Sequence, residues 1–382
     1  MNTPSISLCM IVKNEEPYLA QCLSSVRSIV DEIIVVDTGS TDRSAAIASD
    51  FGAKVIHRQW DDSFSNARNR GLEGATCEWI LWLDADEVLD SNEAPKLKEL
   101  LTRDAIREHQ IEGIELLFHN YLDDGSMERS YVLRLVRNRP EYRFEGRVHE
   151  QIYPVMLQHT PNLRLGRADV TVHHHGYLIR NIIRQDKVKR NTLLLRKALE
   201  EYPKYWVYHY YLGTELLKAN ELEDGIAHLN TALAHSEGFT LSVIVSAHRY
   251  RILALGLMGR YEDMVEQCSA SMAEFPEFTD LYHCKAEGLI ALGRVDQAAH
   301  VLQEALNMGP APEDYPSMAG YGSYLTCLEL GRCLAACGNE PGADWYFTLA
   351  SLMDSGTIIA LTKSLSNGSE AGSPDVSVLV GP

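Results

Sequence analysis

No glycine occurs before Gly39 in this 382-residue chain. A dinucleotide-binding fold needs a Gly-rich turn straight after its first strand, so that backbone can touch the pyrophosphate. Sugar nucleotidyltransferases place a Gly-rich loop at the same point. Both readings lose ground. Positive charge is also scarce: 35 Lys and Arg stand against 53 Asp and Glu, a net charge of −18. That balance argues against a nucleic-acid partner and against an anionic membrane surface. An acidic protein that binds phosphates needs a metal ion or a local Arg cluster to hold them. No apolar run is long enough to span a bilayer, and Met1 to Ser7 lacks the basic-then-apolar order of a signal peptide. The eight cysteines form no CxxC pair, and most lie inside apolar patterns. They read as small core residues in a reducing compartment, not as zinc ligands, and the expected location is the cytoplasm.

What the chain does have is Trp79-Ile80-Leu81-Trp82-Leu83-Asp84-Ala85-Asp86-Glu87, an apolar run that ends abruptly in acids. So short and so apolar a run predicts a strand buried on both faces, as in a parallel sheet. Ligands of open α/β sheets bind beyond the carboxyl ends of such strands. Asp84, Asp86 and Glu87 therefore stand where a ligand would be. Two acids flanking a small residue can hold a hard divalent cation, which in turn can hold a phosphate. A strand end capped by solvated acids is the plainer alternative.

Around that stretch, strand and helix alternate. Ile6–Val12 reads as a first strand, followed by a helix with Asn14 as its cap and Pro17 in its first turn. Ile33–Val36 is a second buried strand, ending in Asp37. Thr38–Asp42 is a turn into a helix that stops at Gly52, and Val55-Ile56 is a short third strand. Ser65–Ala75 is a helix carrying Arg68, either facing a ligand or lying on the helix surface. Asp37 shares the crevice with Asp84, as a ligand contact or as a helix N-terminal acid. Strand patterns return from Gly113 to Arg137. Gly146 would let backbone approach a sugar, and Glu150 would follow on the acceptor side, unless it is a surface residue paired with Arg147. Val170–Tyr177 closes the domain with His173, His174 and His175. One of these is expected to complete the coordination of a metal held by Asp86; His174 is preferred, although strand alternation alone does not choose.

After Gly176 strand signals vanish. Arg180–Glu201 is a basic amphipathic helix that reads as a connector. Gly259-Arg260-Tyr261-Glu262-Asp263 then recurs as Gly293-Arg294-Val295-Asp296-Gln297, 34 residues later, which is the tetratricopeptide period. Four degenerate units are in register. Such arrays bind peptides or partner proteins, or else serve as a rigid stack supporting the catalytic domain or a homodimer. The Ser/Gly-rich end from Ser364 is expected to be flexible. The expected division is 1–178, an α/β domain; 179–205, a connecting helix; 206–355, helical repeats; and 356–382, a tail.

Four blocks resemble glycosyltransferase family 2 with its GT-A fold, in the family's order: Ser7–Glu16, Val36–Asp42, Ala67-Arg68-Asn69 and Leu83–Glu87. With the repeats added, the chain is similar to the repeat-bearing bacterial members, which include peptide S-glycosyltransferases of the sublancin type. The resemblance implies a Rossmann-like α/β GT-A domain followed by an all-α repeat domain. It implies nucleotide-sugar binding through Ile11, Lys13, Glu15, Asp37, Arg68, Asp84 and Ala85. It also implies Mg²⁺ or Mn²⁺ at Asp86 and His174, and Glu150 as general base. The implied activity is inverting transfer from a nucleotide-diphosphate sugar, a UDP-sugar foremost, to a peptide or protein side chain. A cell-envelope glycan is the alternative acceptor. A non-catalytic repeat scaffold with a degenerate transferase domain, and a nucleotidyltransferase, are the competing readings.

Overall fold

The computed structural model describes residues 4–122, 125–174 and 181–354, with backbone alone at 181–186 and 354. The first half alternates strand and helix: β1 (Ile6–Val12), α1 (Glu16–Val26), β2 (Glu32–Asp37), α2 (Ser44–Asp50), β3 (Lys54–His57), α3 (Phe64–Leu72), β4 (Trp79–Trp82) and β5 (Glu87–Leu89). Then come α4 (Ala94–Thr102), α5 (Asp104–Glu108), β6 (Ile111–Tyr121), β7 (Met127–Arg137), α6 (Tyr153–His159) and β8 (Arg164–His174). The strands form one mixed sheet in the order β3-β2-β1-β4-β7-β6-β8-β5, with a short β9 (Ser317–Met318) paired to β7.

β3, β2, β1 and β4 run parallel, and β7 joins β4 antiparallel. Its strands β1, β2 and β4 are buried on both faces, as their unbroken apolar runs require. Successive residues of β4 show this. Trp79 and Leu81 pack with Leu8, Met10 and Leu23 on one face, while Ile80 and Trp82 pack with Cys9, Tyr142 and Phe144 on the other. Each such fully buried side chain contributes about 1.5–3 kcal/mol. The carboxyl ends of β1, β2 and β4 consequently line up along one edge, where Asp37 and Asp84 emerge.

Asn14 does not cap α1. The helix begins at Glu16, and Asn14 sits in left-handed backbone with φ 58°. Its Oδ1 instead accepts the Thr41 N–H at 2.7 Å, tying the first loop to the second. A side chain that short serves whichever backbone donor the tertiary fold brings near.

Helices fill the rest: α7 (Asn181–Glu201), α8 (Val207–Lys218), α9 (Leu222–Ala234), α10 (Leu241–Leu257), α11 (Tyr261–Glu274), α12 (Thr279–Ala291), α13 (Val295–Met308), α14 (Tyr324–Ala336) and α15 (Glu340–Asp354). The chain divides into two compact units. One holds residues up to Arg260 with Pro312–Ala319, and the other holds Tyr261–Ala311 with the chain from Gly320. In the first, α7 packs on α8, α8 on α9 and α9 on α10; in the second, α11 through α15 each pack on the next. Four turns within helix pairs share one geometry. Asn220, Gly259, Gly293 and Gly338 all have positive φ. The residue after each donates its N–H to a leucine carbonyl five residues back: Leu216, Leu255, Leu289 and Leu334. That is the helix-ending motif that glycine makes easy, and its fourfold recurrence is the repeat seen in the sequence. His175 and the tail from 356 lie outside the described residues.

Candidate active site

At the carboxyl end of β4 the chain turns back on itself. The Asp84 N–H donates to Glu87 Oε2 at 3.0 Å, and the Glu87 N–H donates to the Asp84 carbonyl at 3.0 Å. This turn sends the three acids to different places. Glu87 points inward, is 2% exposed, and is held by the Arg134 guanidinium at 2.7 Å. Burial raises its carboxyl above the usual range despite that partner. Ala85 is buried, whereas Asp84 and Asp86 face the cleft.

Arg68 comes from α3, which is set by the Ser63 hydroxyl accepting the Asn66 N–H. It is not a surface base, since its side chain is only 10% exposed. Nη2 donates to Asp84 Oδ1 at 2.8 Å and Nε to Glu150 Oε1 at 2.5 Å. Nη1 is buried and has no hydrogen-bond partner among the described residues. Burial disfavours the guanidinium charge, but the two carboxylates more than offset this and hold it strongly protonated. Burial would raise Asp84 likewise, and Arg68 and Arg134 bring it below the ordinary carboxylate range. A buried guanidinium with an unsatisfied N–H suits an incoming anion, because that N–H otherwise carries an unrecovered desolvation penalty.

Glu150 is thus not paired with Arg147, which binds Glu201 at the end of α7 through two hydrogen bonds of 2.8 and 2.6 Å. Reciprocal backbone hydrogen bonds between Glu145 and Gln151, both 2.9 Å, close the loop that carries Glu150. Helix α8 braces this loop. The His149 ring stacks on Tyr211 with centroids 4.2 Å apart, and Gln151 Nε2 donates to the Tyr211 hydroxyl at 3.0 Å. Gly146 has φ +100°, and a Cβ there would meet the Tyr208 hydroxyl at 2.9 Å. The close approach that needs glycine is therefore Tyr208.

His174, at the end of β8, faces Asp86 with Nε2 3.9 Å from Oδ2. Its Nδ1 lies 2.8 Å from Asn120 Oδ1. Donation of Nδ1–H to Asn120 leaves the Nε2 lone pair on the Asp86 side, the tautomer a metal ligand requires. His173 projects to the opposite face and bonds Tyr121 at 2.8 Å. A carboxylate and an oriented imidazole on either side of one gap fit a divalent cation whose other ligands are phosphate and water oxygens. Among the described residues no group of three or more His, Cys, Asp and Glu forms a complete protein-only metal cluster.

Asp37 is buried and spends its carboxylate locally. Oδ1 accepts the Ser40 N–H at 2.9 Å, and Oδ2 lies 3.1 Å from His57 Nδ1. Burial raises its pKa, but these bonds outweigh that and lower it overall. Ile11 lines a small cleft with Arg68 and Trp82. Glu15 is half-buried, and burial raises its carboxyl to about 7. Lys13 is exposed. Sequence reasoning missed Arg134, Lys187, Arg190 and the bracing residues of α8. Arg134 was hidden inside a strand pattern, and α7 and α8 read as connector and repeat. Lys187 Nζ lies 4.0 Å from Asp86 Oδ2, and the Arg190 guanidinium sits over the Phe64 ring at 5.0 Å.

Residues 7–106 match the family model described as glycosyl transferase family 2. Over these residues the chain is similar to glycosyltransferase family 2. The family 2 match covers the Asp84-Ala85-Asp86 turn and Arg68, and ends before Glu150 and His174. The chain is similar to a TPR repeat-containing protein of Synechococcus elongatus, 38% identical over 206 residues that cover 52% of this chain and 49% of that protein. The chain thus spans about half the length of that relative. It is also similar to the SPbeta prophage-derived glycosyltransferase SunS of Bacillus subtilis, 27% identical over 317 residues, covering 80% of this chain and 72% of SunS. Among solved structures, residues 1–349 of S. aureus TarS in complex with UDP-GlcNAc share 16% identity at TM-score 0.39, covering 78% of this chain and 91% of that one.

Proposed function

We propose that this protein is an inverting, metal-dependent glycosyltransferase that moves a sugar from a nucleotide-diphosphate sugar, a UDP-sugar foremost, to a peptide or protein side chain. The observation that carries this reading is the Arg68 junction. One buried guanidinium joins the strand-end acid Asp84 to Glu150 and keeps one N–H unsatisfied among the described residues. A degenerate, non-catalytic domain has no need of that arrangement.

Asp86 and His174 would hold Mg²⁺ or Mn²⁺, which supplies Lewis-acid neutralisation of the leaving diphosphate. Arg68 offers Nη1–H to the nucleotide, with Ile11, Lys13, Glu15, Asp37, Asp84 and Ala85 forming the remaining donor contacts. The acceptor atom attacks the anomeric carbon on the face opposite the diphosphate. The new glycosidic bond forms as the carbon–oxygen bond to the nucleotide breaks, and configuration inverts. Glu150, anchored to Arg68 through Oε1, has Oε2 to take the acceptor's proton, a role typically worth about 10²- to 10⁴-fold. Helical repeats commonly hold extended peptides, which favours a peptide or protein acceptor over a glycan. Among the described residues no helix is long and apolar enough to cross a membrane.

The test is isothermal titration of the full chain with UDP, GDP and dTDP, with and without Mn²⁺, repeated on Asp86→Ala. Binding of one nucleotide that needs both Mn²⁺ and Asp86 is the expected result. Failure of all three in Mn²⁺ would refute the donor site and make the scaffold reading the better one.

A further inference from the structure

Helix α7 follows β8 and reads in the sequence as a connector. In the structure it delivers two cations to the donor site. Lys187 Nζ lies 4.0 Å from Asp86 Oδ2, the same oxygen that His174 Nε2 approaches to 3.9 Å. Arg190, three residues on and so on the same helix face, lies over Phe64 at 5.0 Å. The Lys187 charge is also felt by Glu15, and that of Arg190 by Glu15 and Glu150. Asp86 is only 14% exposed, so its charge needs a partner. Lysine suits a role in which the partner must later let go, being a compact point charge on a flexible stem.

Resting on the donor-site reading above, we infer that Lys187 is the resident counter-ion of Asp86. With no donor present, the ammonium neutralises this carboxylate. When a divalent cation takes Oδ2, the same ammonium is freed for the donor's diphosphate. Lys187 therefore acts in opposite directions on two ligands. It opposes the metal, whose charge it would crowd, and it supports the diphosphate, whose charge it would meet. At 4 Å in water the interaction of unit charges is worth about fivefold, and that with a divalent ion about thirtyfold. Allowing for the mobility of the stem, the effect on the metal is about tenfold and that on the diphosphate about fivefold or less.

The experiment compares wild type, Lys187→Ala and Lys187→Arg as full chains. Each is titrated in EDTA and in Mn²⁺ with whichever of UDP, GDP and dTDP binds the wild type. The side chain is 38% exposed on a helix, and alanine favours helix, so the alanine variant folds. The readout is the ratio of the dissociation constants in EDTA and in Mn²⁺. In Lys187→Ala, binding in EDTA weakens and the ratio rises about tenfold; Lys187→Arg keeps the charge and stays near wild type. A ratio unchanged or lowered in Lys187→Ala overturns the counter-ion role while leaving the donor site standing. A wild type that binds none of the three nucleotides refutes the donor site, and the counter-ion role with it.

Discussion

Replacing Arg68 by methionine orphans two carboxylates at once, and the loss can be apportioned. Breaking a buried ion pair by removing one partner typically costs about 3–5 kcal/mol, because the remaining charge stays uncompensated. Asp84 is 39% exposed to the cleft, so water can rehydrate it; Glu150 is 10% exposed and cannot be relieved that way. Most of the penalty therefore falls on Glu150, and a loss of about 3 kcal/mol at pH 8 is expected. For a unit of this size, that lowers Tm by about 6–12 °C. Thermal melts of wild type, Arg68→Met, Glu150→Gln and the double variant at pH 8 make a complete cycle. The double variant recovers about 1.5 kcal/mol or more relative to additivity at pH 8. An Arg68→Met melt equal to wild type at pH 8, or strictly additive losses in the double variant, would refute the claim that this guanidinium holds Glu150.

Two further outcomes follow from backbone and burial. Gly146→Ala forces a Cβ against the Tyr208 hydroxyl at 2.9 Å and places alanine at φ +100°, so it should destabilise by about 1–3 kcal/mol in urea unfolding. Adding Tyr208→Phe should restore part of this, and no restoration would show that the hydroxyl is not the obstacle. Glu15, raised by burial to about 7, gives up its proton in the folded chain at higher pH than in the unfolded one. Its burial therefore weakens the fold increasingly from about pH 4.5 to 7 and by a constant amount above. Glu15→Gln should melt with wild type near pH 4.5 and a few degrees higher at pH 8; equal melting at both would disprove the shift.

Local pattern carried far in this chain. β1 has the bounds that its apolar run implies, and the DXD turn stands at the end of the strand that Trp79–Trp82 foretold. The 34-residue step marked turns that share one left-handed geometry. These features are readable because they depend on periodicity, on the chirality of a turn, or on an abrupt change from apolar to charged residues. Each is settled within one element and its flanks.

Tertiary structure alone decided how the charges were distributed. In the sequence Asp84, Asp86 and Glu87 are three equivalent acids. The fold sends Glu87 inward to Arg134, Asp84 to Arg68, and Asp86 toward His174 and Lys187. Strand alternation put His173 and His174 on opposite faces without saying which acid each would meet; the fold sets His174 toward Asp86, and His173 against Tyr121 and Asp90. Glu150 was visible as a carboxylate, but its partner lies 82 residues away on α3. The loop that holds it is braced by α8, which the repeat pattern assigned elsewhere. Pairings of this kind depend on which chain segments the packed core brings within a few ångströms. The sequence by itself determines the elements and the kind of chemistry at their ends, and only the packed fold determines which charge meets which.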